Sequence, residues 1–229
     1  MRAASATARL SPMWAVIQHV LYEGQGNIAP ALRRARLPSV NLRPFRGDLL
    51  PRAADLSGLV VLGAPNGSAD DQTTEHLAAE RQLISDAVGH GLPVLGVCFG
   101  AQLLAVALGG HVVKDGELEV GIGAATLTAA GRADPVLGSD TEALEVLHWH
   151  RHSYTLPPGA VRLATSHRCP EQAFRVADNV YGLQFHVEIN RELAARIADE
   201  MPDGALQSAA VARASTWGAT VLDRFLALQ

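Results

Sequence analysis

The chain has 229 residues, 48% of them hydrophobic and 18% charged, with a formal net charge of -4. That is the balance of an ordinary globular chain long enough for one large α/β domain. Its mild acidity gives no electrostatic reason to expect nucleic acid or an anionic membrane as partner, and no apolar run approaches the length of a membrane span. Residues 1–12 are small and polar with no hydrophobic core for a signal peptide, which predicts a disordered extension, Met13 as the working start and a cytoplasmic protein. Two cysteines, Cys98 and Cys169, cannot build a disulfide framework. The single lysine, Lys114, lies between Val113 and Asp115, so there is no Gly-Lys-Ser/Thr phosphate loop.

In chain order, residues 14–20 read as a first strand, and the glycine-rich turn 23–27 leads to a helix over 28–36. Residues 39–44 read as a second strand. A third, 59–62, ends in the loop Gly63-Ala64-Pro65-Asn66-Gly67. N-cap candidates at 70–74 open a helix whose apolar face is Leu77, Leu83, Ile84, Ala87 and Val88, closed by Gly89 or Gly91. This alternation of strand and helix predicts a doubly wound, mostly parallel sheet covered by helices on both faces, with ligands at the carboxyl ends of the strands. From His111 the pattern changes. Short runs at 112–113, 120–127, 143–149, 161–164, 173–176 and 180–185 are too closely spaced for intervening helices and predict a smaller antiparallel β portion in the C-terminal half. Helices over 191–199 and 205–228 close the chain, and residues 13–229 read as a single domain.

The segment that organises the rest is 92–110. An apolar run over 93–97 passes straight into good helix formers at 101–108, and at the junction stands Gly96-Val97-Cys98-Phe99-Gly100. This is the small-x-nucleophile-x-small spacing of a nucleophile elbow with cysteine as the nucleophile. The glycines are needed because a strand that turns sharply into a helix leaves no room for Cβ atoms on either side. Cys98 then sits at a helix N-terminus, where free N–H groups and the dipole favour the thiolate. Far along the chain, Val180-Tyr181-Gly182-Leu183-Gln184-Phe185-His186-Val187-Glu188 is an extended segment ending in a histidine and a glutamate. Residues two apart in extended chain share a side, so Glu188 can orient the His186 imidazole, which in turn can activate a thiol.

With those motifs in place, residues 13–191 resemble a free-standing class I glutamine amidotransferase domain of the GMP-synthase-like kind. The resemblance is carried by Pro-Val-Leu-Gly-Val-Cys-Phe-Gly-Ala-Gln-Leu-Leu around Cys98, then Glu119-Val120-Gly121, His148-Trp149-His150, Gln172-Ala173-Phe174 and Gly182-Leu183-Gln184-Phe185-His186-Val187-Glu188. It implies that Cys98 attacks the side-chain amide of glutamine, or another γ-glutamyl carbonyl, to form a thioester, with His186 as base and then acid. It also implies oxyanion donors on the backbone of Phe99 and Ala64, since Pro65 has no N–H. Gln102, the loop residue Asn66, and the segment around His150 and Arg151 become the expected contacts to the amino-acid end of the substrate. No cofactor is implied. The partners implied are glutamine or another γ-glutamyl compound and a synthetase subunit that accepts ammonia.

Three departures from the family pattern bear on function. Ala64 stands where the family has a second glycine, and would be strained if the position needs φ > 0. Val187 replaces a proline. Arg151-His152 replaces Gly-Asp beside the expected substrate pocket. The alternatives are therefore a stand-alone γ-glutamyl hydrolase or transferase, which Arg151-His152 favours, and a catalytically idle interaction subunit, which a disabled Ala64 loop would favour. His148, His150 and His152 alternate as metal ligands can, but the sequence fixes no acidic partner near them and the expectation is no metal.

Overall fold

A computed structural model describes residues 12–65, 69–71 and 74–228, so the expected N-terminal extension lies outside the described residues except for Pro12. The strands are β1 (Met13–Ile17), β2 (Ser39–Leu42), β3 (Leu56–Val61), β4 (Val94–Val97), β5 (Val112–Val113), β6 (Glu119–Leu127), β7 (Ala143–His150), β8 (Ser153–Tyr154), β9 (Val161–Thr165), β10 (Ala173–Val176) and β11 (Val180–Leu183). The helices are α1 (Ile28–Arg34), α2 (Glu75–Gly89), α3 (Phe99–Ala107), α4 (Ala129–Ala133), α5 (Arg191–Ile197) and α6 (Ser208–Leu226). Nine strands form one sheet in the order β2-β1-β3-β4-β11-β10-β9-β6-β7, and β5 pairs with β8 in a second, two-stranded sheet.

The two-residue period of the strands divides the core between the faces of the large sheet. Trp14, Val16, Val60, Leu95, Val97, Tyr181 and Leu183 pack with Ile28 and Leu32 of α1 and Val221, Leu222 and Phe225 of α6. Ala15, Ile17, Leu59, Val61, Val94 and Val180 pack on the other face with Leu77, Leu83, Ile84 and Ala87 of α2 and Leu103 and Leu104 of α3. The layered α/β architecture is the expected one.

The expected boundary between parallel and antiparallel strands is corrected by β11. This strand is antiparallel to β10 but parallel to β4, so the parallel set is β2-β1-β3-β4-β11 and the antiparallel strands join beyond it. The physical reason is its burial: all four residues of β11 are buried, as in a strand covered on both faces. Two elements had no counterpart in the sequence reading. β8 is only two residues long, and α4 is a single turn held by Thr128, whose side chain accepts a bond from the Gly131 N–H.

This topology decides where a site can form. β1, β3, β4 and β11 are adjacent and parallel, so the four segments that follow them emerge at one edge of the sheet. Those segments carry Glu23, Ala64, Cys98 and His186. Among the described residues no helix is long and apolar enough to cross a membrane.

One aromatic joins α6 to the sheet. Phe225 is 1% exposed and makes edge contacts with Trp14 and Tyr181, each at 5.9 Å between ring centres. Phe225→Ala is expected to lower the free energy of unfolding by about 3–5 kcal/mol, read from equilibrium urea transitions. An unchanged midpoint would contradict this packing.

Candidate active site

The turn from β4 into α3 is sharp. Cys98 has φ 51 and ψ -110, a backbone that L-residues rarely adopt. A Cβ on Gly96 would lie 2.5 Å from the Gly100 carbonyl oxygen, and one on Gly100 would collide with the Val61 carbonyl, so both flanking glycines are needed for the approach of strand and helix. The Cys98 N–H still donates to the Leu183 carbonyl at 2.7 Å, which fixes the residue against the end of β11. Its thiol is directed at the Trp149 carbonyl, 3.6 Å away, and receives the Gln184 side-chain amide, also at 3.6 Å.

His186 and Glu188 meet as expected, but not along an extended strand: β11 ends at Leu183 and the chain turns at Val187 and Glu188. Nδ1 of His186 lies 2.8 Å from Oε1 of Glu188, and the two side chains are 4% and 2% exposed. The backbone N–H of His186 donates to the Leu147 carbonyl at 2.9 Å, so β7 as well as β11 sets the ring in place. Nε2 makes no hydrogen bond. Burial by itself lowers the imidazole's proton affinity, but Glu188 and the Cys98 sulfur outweigh it and hold the His186 pKa well above its usual value. With Nδ1 held by a carboxylate, Nε2 is the atom left to exchange a proton with sulfur.

Ala64, Phe99, Gln102, His150, Arg151 and His152 line one cavity of about 350 Å³ together with Cys98, Glu23, Pro65, Leu118 and Trp149. The structure therefore gathers every expected substrate and oxyanion residue except Asn66, which lies outside the described residues. The expected strain at Ala64 does not arise. Described non-glycine residues with positive φ are Arg36, Cys98 and Ala177, and the position with no room for a side chain is Gly63, where a Cβ would stand 2.5 Å from Oε2 of Glu23 and 3.1 Å from Cε1 of His186. Gln102 donates to the His152 carbonyl at 3.0 Å and to Gln184 at 3.3 Å, so its amide also braces the cavity wall.

Residues 25–196 match the family model described as glutamine amidotransferase class-I. The chain belongs to that family. The chain is 36% identical over 154 residues to a glutamine amidotransferase-like protein, YfeJ, of Salmonella typhimurium, covering 66% of this chain and 64% of YfeJ. It is 33% identical over 138 residues to the glutamine-hydrolysing GMP synthase of Lactococcus lactis, covering 59% of this chain and only 25% of the synthase. Among solved structures, a glutamine amidotransferase from Methylobacillus flagellatus superposes with TM-score 0.86 at 29% identity, with 95% of each chain covered. One from Thermotoga maritima superposes with TM-score 0.78 at 26% identity, covering 95% of this chain and 97% of that one.

Three residues of the site were given no role by the sequence alone. Gln184 lies just past the end of β11, where its amide reaches the Cys98 sulfur and the Gln102 side chain. Glu23 lay in the turn after β1, at the strand end where parallel sheets place their ligands. Glu119 is the carboxylate that the histidine pattern lacked. It pairs with His150 across β6 and β7, and each of Glu119, His148 and His150 offers one ligand atom within 4.8 Å of the others. The carboxylate is already engaged, however, by Ser166 at 2.7 Å, Gln172 at 2.6 Å and His150 at 3.3 Å. Burial raises its proton affinity, but the bonds from His150 and Ser166 and the charge of His148 more than offset this and hold it below the usual carboxylate value.

His148 is 4% exposed, with both ring nitrogens buried and unpartnered. Burial first, then the neighbouring His150, pushes its pKa down to about 4 against the pull of Glu119. Between pH 6.5 and 4 the unfolded chain binds a proton here that the folded chain does not, so stability present above 6.5 is lost as pH falls. The loss from this residue between pH 7 and pH 4.5 is expected to be about 2 kcal/mol, and urea unfolding at those two values should show a smaller acid loss for His148→Gln than for the parent. Equal losses would contradict a neutral buried His148.

Proposed function

We propose that residues 13–229 act as one catalytic unit that hydrolyses a γ-glutamyl amide through a thioester on Cys98, with glutamine as the first substrate. The observation that carries this reading is the constrained Cys98 at the elbow beside a His186 whose Nδ1 is bound to Glu188 at 2.8 Å and whose Nε2 is free. In the first step His186 takes the thiol proton at Nε2 and sulfur attacks the γ-carbonyl. The negative charge that develops on oxygen is received by the backbone N–H groups of Phe99 and Ala64. His186 returns the proton to the leaving nitrogen as the C–N bond breaks. It then takes a proton from water, which attacks the thioester and releases glutamate.

Gln102 and the backbone around His150 and Arg151 are assigned to the amino-acid end of the substrate. Glu119, bonded to His150, Ser166 and Gln172, supports that wall from behind. The ammonia is assigned to a separate synthetase subunit, a partner suggested by the glutamine-hydrolysing GMP synthases, of which this chain matches 25%. The cytoplasm suits an enzyme whose Cys98 and Cys169 are both free thiols. A second reading, a stand-alone hydrolase of γ-glutamyl conjugates, is favoured by Arg151 and His152, which line the cavity where relatives of this pattern carry Gly-Asp.

Release of glutamate from glutamine and from a panel of γ-glutamyl amides separates the two. Cys98→Ala is expected to lower release by about 10³-fold or more and Glu188→Gln by about 10²-fold or more. Cys98-dependent release confined to a conjugate would favour the second reading, and release that survives Cys98→Ala would overturn both.

A further inference from the structure

One titratable side chain in the cavity has no part in the chemistry above. Glu23 is 5% exposed and shares the cavity with Cys98, and its Oε1 is buried without a hydrogen-bond partner. A single point, the place a Cβ on Gly63 would occupy, lies 2.5 Å from Oε2 of Glu23, 3.1 Å from Cε1 of His186 and 3.6 Å from Cβ of Cys98. The carboxyl group, the imidazole and Cβ of the nucleophile thus converge on Gly63, close enough together that no side chain fits there.

The position of Glu23 is held by its backbone. Gln18 donates to the Glu23 carbonyl at 3.1 Å, and the following turn is fastened to the catalytic loop. Asn27 donates through its N–H to the Glu188 carbonyl at 2.8 Å and through its side chain to the Ile189 carbonyl at 3.0 Å. Gly26, at φ +45, lies so close to the Glu188 carbonyl that a Cβ there would collide with it. A fold that brings a carboxyl here and leaves it unpaired has a desolvation cost that a ligand would repay.

The charged neighbours do not meet that need. His19 is occupied by Glu80 at 2.7 Å and the Gly63 carbonyl at 3.2 Å, and His186 by Glu188. Cys98 gives its thiol to Trp149.

We propose that Glu23 binds the leaving nitrogen of the substrate and so selects amides, and γ-glutamyl conjugates of amines, over γ-esters. The inference rests on the hydrolysis reading above. When the S–C bond forms and the C–N bond breaks, the bonding pair stays on nitrogen, which takes its proton from Nε2 of His186. Glu23 takes no proton in this step; its carboxylate accepts a hydrogen bond from the N–H of the departing amine. An ester's leaving oxygen offers no such donor once it has left as an alcohol engaged with His186. Burial, with a smaller push from Glu188, raises the Glu23 carboxyl to about 7 against the pull of His186 and His19. The carboxylate is therefore lost as pH falls through that value, and amide turnover falls with it.

The test compares kcat/KM for glutamine and for the γ-methyl ester of glutamate, from pH 6 to 8, in the full-length protein and in Glu23→Gln and Glu23→Asp. Glu23→Gln is expected to lower the amide-to-ester ratio about tenfold or more and to abolish the Glu23 contribution to the fall in amide turnover below pH 7. Glu23→Asp keeps a carboxylate and should retain that pH dependence with a smaller drop in ratio, so the assignment can be read even where the Gln variant folds poorly. Equal loss on both substrates in either variant would mark a residue that only holds its turn, and an unchanged ratio in Glu23→Gln would likewise overturn the proposal. A parent protein inactive on both substrates would instead sink the hydrolysis reading, and this inference with it.

Discussion

The close approach of β4, α3 and the end of β3 is the constraint on which the site depends. Gly96 and Gly100 let the chain reverse with almost no clearance, and Cys98 between them is held at φ 51. Backbone strain of that kind costs on the order of 1–3 kcal/mol and persists only where surrounding structure over-determines it. Here the surroundings are the fully buried β4, whose four residues pack on both faces of the sheet, and a helix whose first seven residues are all buried. Hydrophobic burial on either side thus fixes a thiol in a position it would not choose alone.

Everything else at the site is placed relative to that thiol by hydrogen bonds that cross long stretches of sequence. Leu183 and Leu147 hold the backbones of Cys98 and His186, and Asn27 holds the loop of Glu188. Gln102 and Gln184 link α3 to the segment after β11 and to the wall at His152. The buried polar side chains Glu23, Gln102, Gln184, His186 and Glu188 gather at the carboxyl ends of the parallel strands, while the strands themselves bury aliphatic and aromatic residues. A buried polar network of this density is costly where its members lack partners, and unpartnered atoms remain on Glu23, His186 and Glu188. Other unpartnered atoms lie on Trp14, His148, His150, Tyr154 and Gln172, so the unsatisfied capacity is shared between the site and the residues around it.

Local signals made much of this legible in the sequence. The elbow is encoded in five consecutive residues, and the histidine and glutamate two residues apart name the His186–Glu188 pair, although a turn rather than an extended strand brings them together. The layered fold follows from the alternation of apolar runs and helix formers. What escaped depends on partners distant in sequence. β11 reads as one more short strand, and only its neighbour, β4, makes it parallel. Glu119 belongs beside His150 because of the register between β6 and β7, which no local pattern states. Ala64 is not among the described residues with positive φ, and the tight position in its loop is Gly63, so the absence of a second glycine was a poor guide. Glu23 sat in a turn whose glycines drew attention to the backbone and away from the carboxyl beside them.

The central claim is that Cys98, activated by His186, is the nucleophile toward a γ-glutamyl carbon. Intact-mass and peptide mapping after incubation with the glutamine affinity analogue 6-diazo-5-oxo-L-norleucine addresses it most directly, because the protein has one other cysteine, Cys169, as an internal comparison. That second thiol is buried beside Ser153, and burial pushes its pKa up. The account predicts a single adduct on Cys98, formed at a rate that drops sharply in His186→Ala and is slowed by glutamine. Labelling of Cys169 instead, or glutamate release from glutamine with Cys98 left unlabelled at full analogue exposure, would contradict it.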